Sequence, residues 1–160
     1  MPNPESPDGV PAQPRPLPAI FVGGVIVGVL DLTYAIVVYS PRAPILIPQT
    51  IASGLVGPNR AYEGGAQTAV LGVILHFVIA VGAAAVYYLA SRGLPLLNRH
   101  AVLCGLVYGA LVYEFMHVVV LPLSAAPPSH LPLSLKACEF VWHWFGVGLP
   151  IALSVRHFSR

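Results

Sequence analysis

Four stretches of this sequence stay apolar for about 20 residues or more, the length of α-helix that crosses a hydrocarbon core. They cover roughly 18–39, 66–91, 100–122 and 134–156. No other feature constrains the fold as tightly. Backbone N–H and C=O groups have no water to pair with inside lipid, so each run must satisfy its own hydrogen bonds as a helix. A membrane β-barrel would show strands of alternating polarity about ten residues long, and no such alternation is present. Composition agrees. Charged residues make up 9% of the 160 and hydrophobic residues 56%, with a mean hydropathy of +0.77. Soluble domains carry about 25% charged residues. The expected fold is therefore all-α, an antiparallel bundle of four transmembrane helices in the bilayer. A net charge of +2, scattered along the chain, excludes nucleic-acid binding.

The segments between the spans have their own signatures. Residues 1–17 hold six prolines and cannot bury a core, so they read as a disordered cytoplasmic tail. The first apolar run is too long for the core of a signal peptide and contains Asp31, and it reads as a retained span. Residues 40–65 are too apolar for a free loop and too interrupted by Pro41, Pro44, Pro48 and Pro58 to span. A short interfacial helix over 45–56 is expected there, lying on the outer end of the bundle. Arg15, Arg92, Arg99, Arg156 and Arg160 collect on the side of the termini, against Arg42, Arg60 and Lys136 on the other. Lys and Arg favour the cytoplasmic side, which places both termini in the cytoplasm.

Ionisable side chains inside lipid are costly and face the bundle interior. The spans contain Asp31, His76, Glu114, His117, Glu139 and His143. Counted from the outer ends of their helices at about 1.5 Å per residue, all six fall about 7–15 Å below the outer face. Stripes of small residues run through two of the positions: Gly24, Gly28, Asp31 and Ala35 on the first span, and Ala69, Gly72, His76, Ala80 and Ala83 on the second. Such stripes let helices approach closely, which turns those polar groups toward neighbours. The pair Gly105 and Gly109 lies on another face of the third span, available to a neighbouring helix or to self-association.

Three readings of this polar layer stay open. Asp, Glu and His at one depth can form a proton relay or an accessory transport site, since His titrates near neutrality. Alternatively, His76, His117, Glu139 and His143 have donors suited to a transition metal, or two of the histidines to haem. Otherwise the polar groups fix helix packing in a structural or assembly partner. There is no nucleophile elbow, Walker loop, CxxC or HExxH, which weighs against an enzyme. The partner expected from composition is the lipid bilayer, with a homo-oligomer or another membrane protein left open.

The last three spans also carry a recognisable pattern. His76 sits in LHFVIAVGAA. Phe115 and His117 are followed by Pro122 and Leu123, and Glu139-Phe140 precedes His143 before a basic cluster near Arg156. Over residues 70–158 the chain resembles the YagU-like family of uncharacterised bacterial inner-membrane proteins. Glu114, the tail and the 40–65 segment lie outside the shared pattern. The resemblance implies a bacterial inner-membrane location and brings no activity with it.

Overall fold

The computed structural model describes residues 15–128 and 131–159; the expected disordered tail falls, apart from 15–17, outside the described residues. The fold is 86% helical, with no strand among the described residues. Four helices are long and apolar enough to cross a membrane: α1 Pro16–Tyr39, α4 Gly65–Gly93, α6 Ala101–Leu123 and α7 Leu133–Phe158. Between them lie α2 Leu46–Val56, α3 Pro58–Glu63 and the single turn α5 Leu96–Arg99.

Local chemistry accounts for the breaks. Pro16 opens α1, where its missing N–H is one of the groups a helix leaves unpaired anyway. Pro41 disfavours helical dihedrals at Ser40, and α1 stops at Tyr39. Gly57 and Gly65, at φ of 81° and 57°, make the two corners between α2, α3 and α4 that a side chain would strain. α2 lies along the start of α4, held where Gly72 admits the Pro48 carbonyl and where buried Gln49 donates to the Gly65 carbonyl at 3.1 Å.

α1 packs along both α4 and α7, and α7 packs along α6. Small residues allow these approaches. A Cβ at Gly24 would lie 2.6 Å from the Val81 Cα, and one at Gly109 or Gly148 would land on the backbone of the facing helix. The Gly105 and Gly109 face is thus spent on α7 within the chain. Around Ala19, Ala84, Tyr87, Ile151 and Val155 the bundle is fully closed at the end bearing the termini. Ser154 donates to the Ala19 carbonyl there, at 3.0 Å. Large apolar side chains such as Phe21, Val37, Val78, Leu103 and Leu111 point outward. Small residues inside and large ones outside is the arrangement that suits contact with lipid.

The α4–α6 pair is the exception to close packing. Their backbones do not run together, and two tyrosines bridge them. Tyr108 donates to the Ala83 carbonyl at 2.7 Å and meets Tyr87 edge to face at 4.9 Å.

Candidate functional site

The polar layer of α1, α6 and α7 lies toward the end that carries the long loops. At its centre is Tyr113 of α6, a buried ring the sequence pattern did not single out. His117 stacks on it at 4.0 Å between centroids, and His143 of α7 meets its edge at 5.2 Å. Glu139, one turn before His143, lies within electrostatic range of His117, His143 and Asp31. The Tyr39 hydroxyl closes the cluster from α1. It is cut off from solvent and sits beside the Glu139 carboxylate without reaching hydrogen-bond geometry.

The imidazole tautomers follow from their backbone partners. His117 Nδ1 is 3.0 Å from the Tyr113 carbonyl, and His143 Nδ1 is 2.9 Å from the Glu139 carbonyl. A carbonyl oxygen only accepts, so both Nδ1 atoms carry the hydrogen. A neutral ring of this tautomer presents an Nε2 lone pair, able to take a proton or bind a metal. Among the described residues, however, no three His, Cys, Asp or Glu side chains come together as a metal-holding group. The metal and haem reading of His76, His117, Glu139 and His143 draws no support from this geometry.

The remaining expected residues have other places. His76 bonds through Nε2 to the Gly28 carbonyl at 3.0 Å, pinning α4 to α1 about one turn from Asp31. Asp31 accepts the indole N–H of Trp142 at 3.1 Å, and Tyr34 stacks flat on the same indole at 4.5 Å. Through these two contacts Trp142 clasps α1 to α7. Glu114 does not join the cluster. It is exposed, about 100° around α6 from buried Tyr113.

Both histidines of the cluster sit in π-helical segments, Met116–Val120 in α6 and His143–Gly148 in α7. Such wide turns recur at functional positions. A proline follows two residues after each, Pro122 and Pro150. Without an N–H, a proline leaves the carbonyl four residues back without its α-helical donor, and a wider turn can re-pair the strand of carbonyls behind it. The prolines inside two apolar runs were the sequence signal for these turns.

Two buried polar atoms in and beside this cluster lack partners, the Tyr39 hydroxyl and Trp144 Nε1. Trp144 meets Phe140 edge to face at 5.3 Å, and Phe140 meets Tyr113 at 5.1 Å. Buried atoms left this way mark places where water can be held.

In comparison with known proteins, no family model, curated protein or solved structure matches the chain, and the YagU-like resemblance finds no support there. Fold and spans define a class: a multi-pass, all-helical membrane protein.

Proposed function

We propose that this chain is a bacterial inner-membrane protein of YagU-like type, with cytoplasmic termini, whose Tyr39, His117, Glu139 and His143 cluster relays protons through the outer half of the bundle or serves a transport partner there. The observation that carries this reading is the pair of imidazoles flanking Tyr113. Each has its Nδ1 hydrogen committed to a backbone carbonyl and its Nε2 without a hydrogen-bond partner among the described residues, with a carboxylate in electrostatic range of both. A fixed tautomer with one open nitrogen is what proton exchange at a histidine needs. The π turns and the two unpartnered polar atoms support the same reading. Asp31 and His76 position the helices around the cluster, and Glu114 takes no part in it.

The test is proton flux into liposomes carrying the purified protein and a trapped pH dye, driven by a potassium diffusion potential. The parent protein is expected to conduct above protein-free vesicles, and His143→Ala with Glu139→Gln to fall back to them. Equal flux in parent and empty vesicles would leave the imidazoles as packing groups, satisfied by their own helices. Orientation is tested separately in a chain lacking Cys104 and Cys138. A cysteine placed at 96 should be labelled from the cytoplasmic side and one at 128 from the opposite side.

A further inference from the structure

The chain turns out of α2 at Gly57 and into α4 at Gly65, and α3 between them is held in place. Ala61 is fully buried, and Thr68 donates from α4 back to the Ala61 carbonyl at 2.6 Å. Between the end of α2, α3 and the first two turns of α4 lies a cavity of about 470 Å³. Arg60 and Glu63, three apart on one face of α3, are the charged residues that line it. Both are exposed, and among the described residues neither takes part in the side-chain hydrogen bonds of this corner, which join Thr68 to Ala61 and Tyr62 to Thr50. Gly64 and Gln67 bring in the first turn of α4. N–H groups there lack acceptors within their own helix, and the helix end carries partial positive charge. Val56 and Leu71 add apolar wall. The span of α4 begins at Gly65, and Leu71 stands six residues, about 9 Å, further along it. The cavity therefore straddles the border between lipid headgroups and hydrocarbon.

We infer that this cavity binds the headgroup of a phospholipid with a primary ammonium, in the leaflet on the side of the long loops, with Arg60 on its phosphodiester and Glu63 on its amine. A plain anion would bring a like charge against Glu63, and a plain cation would bring one against Arg60. A zwitterion gives each its opposite. Guanidinium meets phosphate through two parallel N–H donors, and the open N–H groups at the start of α4 favour the same anion. A primary ammonium has hydrogens to donate to the Glu63 carboxylate, whereas a quaternary one has none. Arg60 and Glu63 could instead turn to each other, but an ion pair on an exposed helix face is weak, and a ligand that partners both displaces it. Val56 and Leu71 lie where the first acyl carbons below such a headgroup run. A soluble zwitterion has nothing to place there.

The test is native mass spectrometry of the full chain, stripped of lipid in neutral detergent and titrated with dioleoyl phosphatidylethanolamine, phosphatidylcholine or phosphatidylglycerol. One phosphatidylethanolamine per chain is expected, held about tenfold more tightly than either of the others, the effect of one hydrogen bond to a charged group. Arg60→Gln should weaken that binding by about tenfold. Glu63→Gln should abolish the preference over phosphatidylglycerol, because the repulsion of a plain anion goes with the carboxylate. Arg42→Gln, an exposed arginine that does not line the cavity, should leave binding unchanged. Glycerophosphoethanolamine, the same headgroup without chains, should fail to displace the lipid at equal concentration. Displacement by it would assign the cavity to a soluble solute and overturn the lipid as occupant. Equal retention of the three lipids overturns the inference, as does parent-like selectivity in both Arg60→Gln and Glu63→Gln. If either variant fails to fold, the comparison of lipids on the parent still decides. The inference rests on the membrane placement alone, and proton flux is not read, so its outcome is independent of the relay.

Discussion

Trp142 donates its indole N–H to Oδ1 of Asp31 across 3.1 Å, and so ties the last span to the first. Tyr34 covers the same indole face to face, 6° from parallel, so one ring carries both a polar and a stacking link between α1 and α7. Interhelical hydrogen bonds in membranes contribute modestly, about 0.6–1.7 kcal/mol by double-mutant cycles. A cycle pairing Trp142→Phe with Asp31→Ala, read by thermal unfolding in detergent, should return a coupling in that range. Simple additivity of the two changes would show that the bond contributes nothing.

Gly109 and Gly82 should respond oppositely to alanine. A Cβ at Gly109 lands on the His143 carbonyl, so Gly109→Ala must push α6 off α7 and should cost about 1–3 kcal/mol, the range for overpacked contacts. Gly82 faces open space, and Gly82→Ala should be neutral or stabilising by up to about 1 kcal/mol through helix propensity. Unfolding midpoints of both variants against the parent measure the difference.

Pro150→Ala restores an N–H two residues beyond the π segment His143–Gly148. The expected result is a tighter turn that rotates His143 relative to Tyr113. Stability should hold or rise, because an interior proline costs a helix about 3 kcal/mol. Proton flux in the same liposomes should fall. A parent-like flux with parent-like stability would detach the wide turn from the proposed relay.

The cap formed by α2 rests on two small contacts, the Pro48 carbonyl in the notch at Gly72 and Gln49 on the Gly65 carbonyl. Gly72→Ala should expel α2 from the notch. Hydrogen exchange over 46–56 is then expected to speed up strongly while α7 stays protected. Gln49→Ala should act in the same direction by less, about the 1 kcal/mol of one hydrogen bond.

Much of this was legible in the residues alone. Spans, solvent and depth follow from counting, because a helix advances about 1.5 Å per residue whatever surrounds it. The number of apolar runs therefore set the fold class, and the positions of the ionisable residues led to the expectation of one polar layer. The direction each residue faces is not additive in this way. It depends on how helices cross and on how tightly each turn is wound. The prolines at 122 and 150 widen the turns before them, and the crossing of α6 on α7 is set by glycines that admit backbone to backbone. Only the tertiary structure could decide that Tyr113 would gather His117 and His143, that Trp142 would reach Asp31 across 111 positions of sequence, and that Glu114 would stay exposed outside the cluster. Depth is local and cumulative along one helix, whereas azimuth is settled between helices, by the packing that brings them together.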